Sequence, residues 1–207
     1  MAVIKRNKKY YSEIYDQLFG GQLNRFIGAG FQSVVYSISK ARSAQICKIL
    51  PLKECAENMA MMSGGCDPEI IASNVKYLQR YAKEEITVMR ELADCPNTIH
   101  LLDAKCWVDP KNNLNIIYFL KMQRLVPLAE TAEDGRLLLN VELDGIEPEV
   151  FLAWLGAGVA NAVTAMARIG VVHRDIKPQN IMLSWKNMET FRSYQKNGKF
   201  RIKNPET

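Results

Sequence analysis

Apolar residues recur at spacings of three and four at Ile71, Val75, Leu78, Ala82, Ile86, Met89 and Leu92, and that period predicts an amphipathic helix over 71–92. Glu85 follows Ala82 by three and precedes Met89 by four, so it lies on the margin of the apolar stripe, while Glu84 points further round. Two shorter runs read as strands. Ser43 to Leu50 carries Lys48 as its only charge, and Asn115 to Met122 runs into Gln123-Arg124-Leu125. Phe151 to Gly170 is apolar on most sides, which predicts a helix in a core, with Pro148 in its first turn and Gly170 at its exit. Residues 129–149 are polar and acidic. Lys53 to Pro68, with Met59, Met61, Met62 and Ser63-Gly64-Gly65, is expected to be a mobile insertion.

The densest chemistry follows the second helix, in Val171-Val172-His173-Arg174-Asp175-Ile176-Lys177-Pro178-Gln179-Asn180-Ile181-Met182-Leu183. Asp175 can accept a proton from a hydroxyl. Lys177 can neutralise a transferring phosphate, and Asn180 can hold a metal ion by its amide oxygen, with Pro178 stiffening the turn between them. Upstream, Ile27-Gly28-Ala29-Gly30-Phe31-Gln32-Ser33-Val34-Val35-Tyr36 has the glycines that let a backbone fold down over phosphates.

These segments, in this order, resemble the eukaryotic-type serine/threonine protein kinases. Residues 171–183 are similar to their catalytic loop, with Ile176 in place of the usual leucine and Lys177 as the serine/threonine-type choice. Residues 27–36 are similar to their glycine-rich loop, with Ser33 in place of the third glycine. The resemblance implies that Ile27, Gly28, Ala29, Gly30, Ser33 and Val35 surround ATP, Val35 meeting the adenine. It implies that Lys48 grips the α- and β-phosphates and is held by a helical glutamate, Glu85 or alternatively Glu84. Met122 would guard the back of the adenine pocket, the backbone of Gln123 to Leu125 would bond the base, and Met182 would complete the nucleotide-binding set. Asp175, Lys177 and Asn180 would be the catalytic residues and Asn180 the magnesium ligand.

The implied fold is α+β and two-lobed, protein kinase-like, with an antiparallel-sheet N-lobe, one long helix and the first part of a mainly helical C-lobe. The expected divisions are an N-terminal extension (1–19), an N-lobe with hinge (20–125) and a partial C-lobe (126–207). The implied activity is transfer of the ATP γ-phosphate, with magnesium, to Ser/Thr hydroxyls of protein substrates. A pseudokinase that binds nucleotide without chemistry, or a small-molecule phosphotransferase, is the alternative. Asp175 is the last aspartate in the chain. The second metal ligand of the family, the aspartate of Asp-Phe-Gly, is therefore expected beyond Thr207, or replaced by Asn204-Pro205-Glu206.

Composition narrows the partners. The net charge of +5 is modest and spread out, apart from Lys5-Arg6-Lys8-Lys9 and Lys196 to Lys203, so nucleic acid is not an expected partner. No run is read as long and apolar enough to span a membrane, and no secretory signal follows the basic start, so a cytoplasmic location is expected. The five cysteines form no C-x-x-C pair and are expected to be reduced thiols. The sequence leaves the oligomeric state open.

Overall fold

A computed structural model describes residues 4, 7–38, 45–132, 134–184 and 199–202. The predicted strand start at Ser43-Ala44, most of the stretch from Ser184 to Gly198, and Asn204-Pro205-Glu206 lie outside the described residues. The chain forms two compact units, one of residues 1–93 with 100–124, the other of 94–99 with 125–207.

The first unit is built on five antiparallel strands: β1 (Leu23–Ala29), β2 (Val34–Ile38), β3 (Gln45–Pro51), β4 (Leu101–Asp109) and β5 (Asn112–Gln123), in the order β1-β2-β3-β5-β4. Three helices pack with it, α1 (Lys8–Phe19), α2 (Leu52–Met62) and α3 (Pro68–Glu91). The 3.6-residue period of α3 turns Val75, Leu78, Ala82 and Ile86 inward. Full burial of a Val, Leu or Ile side chain contributes about 1.5–3 kcal/mol each, enough to fix this face of the helix. Asp67 caps its start by accepting the Glu69 N–H at 2.8 Å, and Pro68 occupies the first turn, where no N–H is needed.

Two segments acquire more structure than their sequence suggests. Residues 53–68 are not a mobile insertion: α2 occupies most of them and buries Leu52, Cys55, Ala56 and Ala60. Those positions recur at three, four and eight, a helical stripe that the neighbouring methionines and glycines obscure. The residues before β1 form α1, which buries Tyr11, Ile14 and Tyr15 in the same core as the sheet. Tyr15 stacks on Phe19 with ring centroids 4.7 Å apart and meets Phe119 of β5 at 6.3 Å. The helix ends at Gly20, whose φ of 65° lies in the left-handed region that glycine adopts freely, and Lys105 of β4 donates to the Leu18 carbonyl there.

The second unit holds short strands, β6 (Val126–Pro127), β7 (Ala129–Thr131), β8 (Leu137–Leu139), β9 (Val141–Asp144), β10 (Met182–Leu183) and β11 (Lys199–Ile202), with one long helix, α4 (Pro148–Arg168). β6 pairs with β10, β7 with β8 and β9 with β11, all antiparallel. Leu128, Val141, Ile146, Phe151 and Leu183 form its core, with Trp154 and Leu155 packed against them. The expectation of a core helix for α4 is corrected here: Phe151 and Ala162 are its buried residues, while Val150, Leu152 and Val163 are exposed. Among the described residues there are too few neighbouring elements to cover a helix that is apolar on most sides. The expectation that no segment is long and apolar enough for a membrane is likewise corrected, because α4 has 21 residues and its most apolar 18-residue stretch has a mean hydropathy of 1.7. The core helix of a soluble protein passes the same test of length and composition.

Candidate functional site

Lys48 reaches its partner within the first unit. Its Nζ lies 2.6 Å from Glu85 Oε1, with both side chains about a quarter exposed, 26% and 27%. β3 fixes the lysine and the inward margin of α3 fixes the glutamate. Glu84, one residue before it, turns outward and pairs with Arg80 at 3.6 Å in solvent. The choice between the two glutamates is thus made by helix phase.

Residues directly opposite in an antiparallel sheet share a face, so the register shows which candidates accompany Lys48. Val35 pairs with Lys48, and Gly28 with Val35. Leu120 also pairs with Lys48, and Met122 with Ile46, two residues before it. Gly28, Val35, Ile46, Lys48, Leu120 and Met122 therefore lie on one face of the sheet. Met122 is buried, Gln123 ends β5 exposed, and Leu125 is half-buried in the second unit. Ile27 is exposed beside the register shift in β1, and Ala29 packs against the core opposite Val34.

The turn from β1 to β2 is closed by the Gly30 N–H donating to the Ser33 carbonyl at 2.8 Å. A Cβ on Gly28 or Gly30 would meet nothing within 4 Å, and neither residue has a positive φ. The fold itself does not require glycine at either position. What glycine leaves there is room for another molecule to approach the backbone.

In the second unit, α4 stops where Gly170 takes a φ of 72° and Val171 N–H bonds the Met166 carbonyl at 2.9 Å. The following loop is anchored at its far end by β10, where Met182 pairs with Pro127 and Leu183 with Val126, and by the Leu128 N–H donating to the Ile181 carbonyl at 2.7 Å. Gln179 Nε2 adds a bond to Thr131 Oγ1 of β7 at 3.1 Å. Between these anchors Arg174 has a φ of 65°, the one non-glycine residue with positive φ among the described residues. Such a conformation costs of order 1–3 kcal/mol and persists where its surroundings over-determine it.

Beyond that bend, three side chains converge. Lys177 Nζ lies 3.0 Å from Asp175 Oδ2. Asn180 Nδ2 donates to the same oxygen at 2.8 Å and to the Asp175 main-chain carbonyl at 2.8 Å. The Asp175 N–H in turn donates to His173 Nδ1 at 3.3 Å. Lys177, then Asn180, hold the Asp175 carboxyl below its ordinary value of 3.8, so it is ionised at neutral pH. Both contacts fall on Oδ2, which leaves Oδ1 without a hydrogen bond from the described residues. Asn180 uses its amide nitrogen for both bonds to Asp175, so its side-chain carbonyl oxygen takes part in neither.

All five cysteines are free thiols, and burial pushes the Cys55 thiol up to about 12 and Cys47 higher still. Among the described residues, no group of three or more His, Cys, Asp or Glu is placed to hold a metal ion.

This architecture, an antiparallel five-stranded sheet with a long helix paired to it through Lys48 and Glu85, followed by a helix and an Asp-Lys-Asn loop, is a kinase-like α+β fold. The chain is similar in sequence to serine/threonine protein kinases. It is 32% identical over 105 residues to serine/threonine-protein kinase 36 of Pongo abelii, covering 51% of this chain and 7% of that protein. To a protein of Clostridium perfringens named as a probable serine/threonine-protein kinase it is 25% identical over 163 residues, 79% of this chain and 19% of the other. To calcium/calmodulin-dependent protein kinase type I of Schizosaccharomyces pombe it is 30% identical over 105 residues, 50% of this chain and 27% of the other. The chain thus spans about a quarter or less of the length of these curated relatives. No family model matches it.

Proposed function

We propose that this chain carries the nucleotide-binding and catalytic-loop parts of a serine/threonine protein kinase, which transfers the γ-phosphate of ATP to Ser or Thr hydroxyls of proteins. The observation that carries this reading is the shared Oδ2 of Asp175. Lys177 and Asn180 both hold that oxygen, which fixes the carboxylate while leaving Oδ1 open toward an incoming hydroxyl. A fixed, ionised carboxylate with one free oxygen can take the hydroxyl proton as the hydroxyl oxygen bonds to the γ-phosphorus and the bond from that phosphorus to the bridging oxygen breaks, releasing ADP. Lys177 stands beside it as a compact positive charge for the phosphoryl oxygens.

In the first unit, Glu85 holds Lys48 extended from the sheet for the α- and β-phosphates. Gly28 and Gly30 let the main chain approach them. Val35, Ile46 and Met122, on the same face as Lys48, suit a flat apolar base. The Asn180 side-chain carbonyl oxygen would hold magnesium, which would supply positive charge to neutralise the phosphates. A hard dication prefers several oxygen ligands including carboxylates, and the described residues do not by themselves complete such a site.

One second reading is a nucleotide-binding module without transfer. The two are separated by incubating the purified protein with γ-labelled ATP, a mixed protein acceptor and a panel of small alcohols. Phosphoserine or phosphothreonine in the protein fraction supports the proposal. Label in the small-alcohol fraction alone contradicts it, as does nucleotide binding with no label transferred.

A further inference from the structure

The link between β3 and α3 does something its sequence does not announce. α2 starts at Leu52, directly after the strand that carries Lys48, and packs against α3, β3 and β5, with Cys55 reaching the glycine-rich loop. Cys55, 1% exposed, places its Sγ 3.3 Å from the main-chain carbonyl of Gln32 in that loop. A second bond ties α2 to the other neighbour, with Asn74 Nδ2 of α3 donating to the Ala56 carbonyl at 3.4 Å. A cavity of about 10 Å³ is lined by Gln32, Leu50, Cys55, Ala82 and Glu85 among others, so the loop, α2 and α3 meet beside the Lys48 partner with room for about one water.

We propose that α2 is the latch that sets the glycine-rich loop, with Cys55 as its positioning residue. The loop is a two-strand turn whose own closing bond is Gly30 N–H to Ser33 carbonyl. Without an outside anchor such a turn samples many positions. The Gln32 carbonyl, taken by the thiol, ties it to a helix that is itself bonded to the helix carrying Glu85. Burial keeps the thiol neutral, with its pKa raised to about 12, so it acts as a donor and is not poised as a nucleophile. A thiol is also a weak donor that tolerates apolar surroundings. The latch can therefore open without leaving a strongly polar group stranded, as a loop that admits and releases nucleotide requires. The proposal rests on the reading that this loop covers the nucleotide.

Cys55→Ala removes the γ atom and its donor, whereas Cys55→Ser keeps a smaller γ atom that still donates. Amide hydrogen exchange of residues 29–34 and nucleotide titration are measured on parent and both variants. The latch predicts roughly 2- to 10-fold faster loop exchange and a similar loss of nucleotide affinity in Cys55→Ala, the usual worth of one hydrogen bond. Cys55→Ser should stay near the parent in both, and the amides of α1 and β3 should not change in either. Unchanged loop exchange in Cys55→Ala overturns the proposal, and so does equal loosening by alanine and serine, which would assign the effect to lost volume. If the parent binds no nucleotide, the functional reading fails while the exchange comparison still decides the latch.

Discussion

Replacing Glu85 by glutamine should weaken nucleotide binding by about 5- to 150-fold without unfolding the first unit, because the ion pair it breaks is half-sheltered. Exposed pairs contribute about 0–1 kcal/mol, whereas removing one partner of a fully buried pair costs about 3–5 kcal/mol. Lys48 and Glu85, at 2.6 Å and 26% and 27% exposed, fall between these limits. An intermediate cost of about 1–3 kcal/mol, at about 1.4 kcal/mol per tenfold, gives that range when the lysine's position is what the phosphates read. Glu84 pairs with Arg80 at 3.6 Å with 64% of its own side chain exposed. Helical surface pairs of this kind contribute about 0.2–0.5 kcal/mol, so Glu84→Gln should change affinity less than about threefold. Calorimetric titration of the parent, Glu85→Gln, Glu84→Gln, Lys48→Met and the Lys48→Met/Glu85→Gln double variant isolates the coupling between the pair. Equal affinities for parent and Glu85→Gln, or a larger loss from Glu84→Gln, would refute the assignment.

Gly30→Ala should leave the thermal midpoint nearly unchanged, since its Cβ meets nothing within 4 Å and its φ is not positive, yet weaken nucleotide binding; a lowered midpoint with intact binding would make the glycine structural. Lys177→Met should move the Asp175 titration, followed by carboxyl NMR, upward toward 3.8, because Lys177 is the largest cause of its depression; an unmoved midpoint would remove that contact from solution. The first unit should lose stability in alkali. Burial raises Tyr15 from 10.0 and Cys55 from 9.0, each to about 12, so stability is full below the ordinary values and lost as pH rises through about 9–12. Denaturant midpoints measured across that range should fall, and thiols and tyrosines titrating at their ordinary values in an intact fold would contradict this.

The parts legible from sequence are those whose residue types have few other uses. A lone lysine in an apolar strand needs an acid, and the period of α3 placed Glu85 on the inner margin, where it meets Lys48. His-Arg-Asp with Lys and Asn at fixed offsets was legible as a cluster, although the sharing of Asp175 Oδ2 depends on the Arg174 bend, which no local pattern encodes. α2 escaped because its stripe is, after Leu52, made of the small residues Cys55, Ala56 and Ala60, followed by Ser63-Gly64-Gly65. The β7–β8 hairpin escaped for a different reason. Asp134-Gly135 is a turn signal, with Gly135 at a φ of 82°, but Leu137 to Leu139 is a continuous apolar run lacking strand alternation, and all three leucines are exposed. For α4, composition specified a helix, while burial depends on neighbours that its own residues do not reveal.

The central claim, that Asp175 serves as the base for phosphoryl transfer to protein hydroxyls, is tested most directly by transfer of γ-labelled phosphate to protein acceptors by the purified parent and by Asp175→Asn, with nucleotide affinity titrated in parallel. In the catalytic domain extended beyond Thr207, a base at Asp175 predicts label on serine or threonine with the parent, a rate roughly 10²- to 10⁴-fold lower in the variant, and little change in affinity. Equal rates of labelling by the two proteins would contradict it.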